Sequence, residues 1–194
     1  MDSSTIETQR LILRPFHEAD IPAIVRLLQT PDIAQTTLNI PYPYDKDKAR
    51  EWLTFQRQER MAGTGYTFAI VRREDERLIG AIDIRPNARH KKAEIGYWIG
   101  KPYWGRGYAT EAVRAIIHFG FETLEMNRIY ALHFTGNPAS GRVMQKAGMQ
   151  FEGVLREDVQ KGAAFQDHAI YAIVRKDWGG KAEVVRGNDD EPTA

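Results

Sequence analysis

Residues 93–112 read AEIGYWIGKPYWGRGYATEA, and this stretch decides how the chain is built. Its first part, AEIGYWIG, has the apolar and aromatic content of a strand. Its last part opens a pattern in which Ala109, Ala112, Val113, Ile116, Ile117, Gly120, Phe121 and Leu124 recur at steps of three and four. That is the spacing of an amphipathic helix laid on a sheet. Between the two, Trp104 to Gly107 form a glycine-rich turn. The first amides of a helix have no partner inside it and carry the positive end of its dipole, so a strand that turns into a helix here can bind a diphosphate through backbone alone. Glycine lets the main chain come close. Arg106 adds a charge and Thr110 a hydroxyl, while Tyr108 is expected to pack. Glycines at such a junction also serve a tight connection and nothing more, and the motif alone does not separate the two readings. It is no dinucleotide fingerprint, because GRGYATEA lacks the third glycine and the preceding strands form a hairpin. It is no P-loop, since no Gly-Lys-Ser/Thr follows.

Outward from this stretch, the spacing predicts a mixed α/β domain in the order β-α-α-β-β-β-α-β-α-β-β. A first strand lies in Arg10 to Phe16, and Asp20 caps a helix to about Gln29. Three prolines between Pro31 and Tyr44 make that segment loop or short turns. Asp45 caps a helix to about Met61, with Ala49, Trp52 and Leu53 on one face. A hairpin follows from Tyr66 through LIGAIDIRP, then the strand before the glycine turn. After the long helix come the strand RIYALHFT (128–135) and a short helix bracketed by Asn137-Pro138 and Gly148. Two more strands, Met149 to Leu155 and Phe165 to Val174, join by a turn near Lys161 and Gly162. The helices should cover a largely antiparallel sheet. One domain over residues 1–178 is expected, and the tail 179–194, without an apolar period, should be mobile.

Composition narrows the function classes. The chain has 194 residues, is 42% hydrophobic and 27% charged, and carries a formal net charge of +1. It should fold as an ordinary soluble domain. No field of one sign is available to grip nucleic acid or an anionic membrane. There is no cysteine, which removes disulfides, thiolate metal sites and a cysteine nucleophile. The start MDSSTIETQRLIL is unlike a signal peptide, and no run approaches a membrane span. A cytoplasmic location is the default expectation. His17, His90, His118, His133 and His168 show no metal spacing, so surface or core roles are expected and no metal is called for.

Four stretches together resemble a known family: ETQRLILRPF (7–16), the stretch 93–112, NPASGRVMQKAGMQFEGVLRE (137–157) and IYAIVRKDW (170–178). The sequence resembles the GNAT superfamily of N-acetyltransferases, and within it the RimJ/RimL-like branch that acetylates protein amino termini. The resemblance implies a single GNAT-like domain with a central sheet splayed in the middle. It implies acetyl-coenzyme A (acetyl-CoA) as co-substrate, its diphosphate on the turn formed by Trp104, Gly105, Arg106, Gly107, Tyr108, Ala109 and Thr110. Many members have Gln or Arg where this chain has Trp104. By the same resemblance the thioester oxygen is held by backbone near Trp98 and Ile99, and Asn137, a helix cap, also contacts the pantetheine arm.

Acetyl transfer to an amine needs a neutral amine, a polarised carbonyl and an outlet for the thiolate. Amines are mostly protonated near neutral pH, so a carboxylate within reach is useful. Glu94, on the strand before the glycine turn, is the leading candidate, and a solvent-facing Glu94 is the competing reading. Asp83 alternates with Ile82 and Ile84 and faces either the groove or water. For the thiolate, many members use a tyrosine on the short helix, whose place is taken here by Met144. Ser140, one turn earlier, is the second catalytic candidate, because residues four apart share a helix face. A plain helix-end serine is its alternative. The acceptor is a protein or peptide amino terminus, or else a small amine such as a polyamine, an amino sugar or a drug. A non-enzymatic acyl-CoA-binding module is the reading from another class. Oligomeric state is left open.

Overall fold

The computed structural model describes residues 5–180. The four residues before them, and the tail from 181 on, lie outside the described residues. Eight strands form one sheet in the order β1-β2-β3-β4-β5-β6-β8-β7. These are β1 (Ile6–Glu7), β2 (Leu11–Arg14), β3 (Tyr66–Arg72), β4 (Leu78–Asn87), β5 (Lys92–Ile99), β6 (Arg128–Phe134), β7 (Gln150–Lys161) and β8 (Ala164–Val174). All neighbours are antiparallel except β5 and β6. Among the described residues the α-helices are α1 (Ile21–Leu28), α2 (Pro31–Thr36), α3 (Lys46–Ala62), α4 (Tyr108–Glu122) and α5 (Pro138–Lys146).

Each face of the sheet has its own core. Leu13, Phe68, Ile70, Ile82, Ile84 and Ile95 alternate onto one face and meet Ala112, Val113, Ile116 and Ile117 of α4. Ala69 and Val71, from the other face of β3, join Ile24 and Leu28 of α1 and Ala49 and Leu53 of α3. The period of two in the strands and of three to four in the helices thus fixes which side each element covers. Burying such side chains contributes roughly 1.5–3 kcal/mol apiece.

The caps account for several boundaries. Asp45 accepts from the amides of Asp47 and Lys48, as its place before α3 predicts. Asp20 stands before α1 but does not cap it. Its carboxylate instead takes the Arg14 guanidinium at 2.8 Å and the His17 amide at 2.8 Å. The first strand is shorter than predicted, and β1 precedes it. Within the proline-rich segment read as loop lies α2, started by Pro31 at its first position. Gly148, at φ 94°, stands just past α5, where a left-handed residue ends the helix.

Candidate active site

The parallel contact between β5 and β6 is short. Lys92, Ala93 and Glu94 pair with Arg128, Ile129 and Tyr130, and among the described residues the register ends there. Beyond that point β6 follows β8, which it pairs along its whole length. The two strands part, and a cleft of about 870 Å³ opens between them. Every site residue named from the sequence borders this cleft except Arg106, whose side chain is exposed.

At one end of the cleft stands the N-terminus of α4. Gly105 and Gly107 have φ of 73° and 81°, where an L side chain costs roughly 1–2 kcal/mol. A Cβ on Gly105 would meet nothing within 4 Å, so this glycine serves conformation, and the space above it is open to a ligand. The cradle fits a diphosphate in its free amides and its room. Tyr108 is buried, as expected of a packing residue. Trp104 is 45% exposed and donates its indole N–H to the carbonyl of Ile99.

Arg10 holds this turn from β2's side of the sheet. Its Nη1 donates to the carbonyl of Arg106 at 3.1 Å, and its Nε to Oε2 of Glu111 at 2.7 Å. The guanidinium also lies 4.8 Å over the Tyr108 ring. Thr8 donates to the other oxygen of Glu111 at 2.7 Å. Glu111 sits in the first turn of α4, where its charge would compete with an anion, and Arg10 offsets that charge. Sequence reading missed Arg10, because its partners lie about a hundred positions away.

In the middle of the cleft the backbone of β5 is uncovered on one side. The Gly100 amide donates to the carbonyl of Ile79 on β4 at 2.8 Å. Alternation along an antiparallel ladder then turns the amides of Ile99 and Tyr97 the other way, toward the gap. Trp98 turns its backbone to β4 and borders the cleft with its side chain.

The far end carries two carboxylates on neighbouring strands. Glu94 accepts from the Tyr130 hydroxyl at 3.1 Å. Asp83 pairs across from Gly96, and a Cβ there would come within 3.1 Å of its Oδ2. The Asp83 side chain is 20% exposed. Burial pushes its carboxyl up to about 7, with Arg85 at 2.7 Å opposing and the charges of Glu94 and Glu59 adding. Of its two sequence readings, Asp83 takes the groove-facing one.

On the α5 side, Asn137 occupies the N-cap position but its side chain makes no capping bond, contrary to its expected role. Ser140 is half-buried, with Oγ 2.7 Å from the Tyr97 hydroxyl. Met144 is 1% exposed and belongs to the α4-side core. The shared helix face inferred for Ser140 and Met144 therefore does not bring both to the cleft. His133 and His168, read as surface or core, both border it. His168 pairs with Asp158 at 2.7 Å and stacks on Phe134. Among the described residues no group of three His, Asp or Glu side chains could hold a metal ion.

Comparison with known proteins gives the family and the fold. Residues 10–150 match the model of the acetyltransferase (GNAT) domain. The N-acetyltransferase YoaA of Bacillus subtilis (strain 168) is 33% identical over 175 residues, covering 88% of this chain and 96% of YoaA. The ribosomal-protein-serine acetyltransferase of Escherichia coli (strain K12) is 29% identical over 142 residues, 72% of this chain and 78% of that protein. Mycobacterium smegmatis RimJ in complex with CoA-disulfide shares the fold, with a TM-score of 0.82 at 22% identity over 91% of this chain and 90% of that one. No helix among the described residues is long and apolar enough to cross a membrane. A sheet split beside a glycine-started helix, matched over most of its length by one domain model, makes this chain a member of the GNAT family of N-acetyltransferases, enzymes of acetyl transfer.

Proposed function

We propose that this protein transfers acetyl from acetyl-CoA to the α-amino group of a protein or peptide, by direct attack of the amine on the thioester, and that residues 1–178 form the one domain that does so. The observation that carries the reading is a single cleft with an anion-binding helix end at one mouth, free strand backbone in the middle and two carboxylates at the other. The amides of Gly105 to Thr110 hold the diphosphate, and Trp104 and Arg106 flank it. The Ile99 amide polarises the thioester oxygen, and Trp98 walls the acceptor side. Asn137, free of a capping bond, reaches the pantetheine arm, and Ser140 meets the sulfur.

Glu94 and Asp83 take the proton of the amine, directly or through water. Magnitudes favour an α-amine. Its ordinary pKa is about 7.7–8.0, against about 10.4 for a lysine-type amine. A carboxyl pushed up to about 7 accepts a proton from the first nearly without cost and from the second only steeply uphill. The kinship with the E. coli ribosomal-protein-serine acetyltransferase supports the same choice.

Incubating the protein with acetyl-CoA and a panel of peptides, polyamines and amino sugars, with free thiol as readout, tests it. Turnover with unblocked peptides that is lost when their amino terminus is blocked is the expected result. Turnover confined to polyamines or sugars would overturn the acceptor class, and none with any amine would overturn the proposed reaction.

A further inference from the structure

Resting on that reading, we infer that Tyr97 is a positioning residue that aims the Ser140 hydroxyl at the sulfur of coenzyme A. The phenol comes from β5, on the sheet face that packs against the α4-side core, and reaches Ser140 of α5. Its oxygen is 2.7 Å from Ser140 Oγ and 3.1 Å from the carbonyl oxygen of the same residue. Both residues border the cleft, as does Asn137. No other side chain among the described residues hydrogen-bonds to Ser140 Oγ.

A phenol has one proton, so this geometry allows two arrangements. In one, Tyr97 donates to the Ser140 carbonyl and accepts from Ser140 Oγ, which uses up the serine's proton. In the other, Tyr97 donates to Ser140 Oγ and leaves the serine's O–H free to point into the cleft. The second arrangement is the one a developing negative charge on sulfur selects, because an anion in the cleft needs a donor and the chain of two hydrogen bonds strengthens each. The C–S bond breaks, its electron pair stays on sulfur, and Ser140 stabilises the thiolate with a hydrogen bond. The proton that finally returns to the sulfur comes from water.

Two features decide that Tyr97 does not itself surrender a proton. Burial pushes its phenol up to about 12, whereas a free thiol lies near about 8.5, so transfer from one to the other runs uphill by about three to four powers of ten. Both acceptors within reach of the phenol proton, Oγ and the carbonyl oxygen, belong to Ser140, so in either arrangement that proton is directed at residue 140. Tyr97 therefore acts through Ser140.

The test reads the sulfur directly and needs no acceptor. Coenzyme A is bound to the whole protein and the pKa of its thiol is measured from the pH dependence of its alkylation. Arg142 and Lys146 on α5, His133 on β6, and Glu94 and Asp83 on β5 and β4 also face this cleft. They are unchanged in every variant, so differences report the Tyr97–Ser140 pair alone. The bound thiol should titrate below the free one in the wild type. Tyr97→Phe and Ser140→Ala should each raise it by about half a unit to one unit, and the double variant should go no further than Ser140→Ala. Turnover with a peptide acceptor should fall about tenfold in either single variant with the KM for acetyl-CoA held. A thiol pKa equal in all four proteins, or two single effects that add, overturns the inference. Failure of coenzyme A to bind the wild type overturns the site itself, and a shifted thiol without peptide turnover overturns only the acceptor reading. Tyr97→Phe keeps the half-buried ring, and its melting temperature shows whether a lost effect reflects unfolding.

Discussion

Asp83 is a carboxyl held far from the ordinary carboxylate range by burial. A carboxyl raised to about 7 in the fold and near its ordinary 3.8 in the unfolded chain binds more protons folded than unfolded between those values. Stability contributed by such a group falls as pH rises from about 4 to about 7, the reverse of an ion-paired carboxylate. Asp83→Asn should therefore gain on the wild type in urea midpoint at pH 8 and lose that advantage at pH 5. In kinetics, kcat/KM for a peptide should rise with pH through a limb near 7 that belongs to Asp83. Asp83→Asn should displace that limb. Glu94→Gln should lower turnover about a hundredfold while coenzyme binding persists, with part of the loss recovered at high pH as the amine deprotonates itself. A pH–rate profile identical to wild type in either variant makes that residue a bystander. The sequence brought Glu94 forward because a carboxylate suits the chemistry and the family resemblance implies a general base near that point of the strand. Asp83 stayed undecided because alternation shows that two residues face opposite ways but not which way faces a cleft.

At the scale of an element, the junction of β5 and α4 joins sequence to function most directly. Its reading held because glycine and the helix period are local signals: Gly107 takes the left-handed conformation and α4 begins at the next residue. Elements with weaker local signals came out less clearly. Two residues of β1 carry no period, and the six of α2 are hidden among prolines. The Arg10 clamp was out of reach for another reason, since the register of β2 against the rest of the sheet sets it. Gly107→Ala places a Cβ 3.4 Å from the Arg10 guanidinium at a φ of 81°. A cost of roughly 1–2 kcal/mol follows for the conformation. The KM for acetyl-CoA should rise about tenfold in this variant with the acceptor KM little changed. Arg10→Met should do the same from the other side, by leaving Glu111 unneutralised at the helix end. Thermal shift with added coenzyme A, compared across both variants, checks it, because a ligand that binds only the folded state raises Tm by mass action. Equal shifts in wild type and variants would detach the turn from coenzyme binding.

Over the whole molecule, the sheet and its two cores followed from periodicity, whereas the acceptor side of the cleft depends on contacts between segments far apart in sequence. The clearest is Lys161, at the end of β7 beside the hairpin turn. Its ammonium donates to the carbonyls of Ala34, Gln35 and Thr37, at and just past the end of α2. These carbonyls are the negative end of that short helix, where a cation is favoured. Partial burial lowers the ammonium's pKa from its ordinary value, and the Phe134 ring lies 5.0 Å beneath it. One side chain thus ties two segments that both border the cleft: Ile33 to Leu38 on one side, Asp158 and Val159 on the other. The first of these is also tied to the approach to the glycine turn, where Lys101 donates to Asp32 of α2 at 2.8 Å, a bond that Lys161 does not share. Lys161→Met keeps the apolar stem over Phe134 and removes the donors. Charge-assisted bonds at a half-exposed site contribute about 1–2 kcal/mol together, or roughly 2–8 °C in Tm for a chain of this size. The larger effect should be on selection. With the tie gone, the KM for a peptide acceptor should rise severalfold, while the KM for acetyl-CoA and the turnover of a small primary amine stay close to wild type. Measuring the three constants on one preparation decides it: a rise in all three means general loosening, and no change in the peptide KM means that Lys161 only staples the surface.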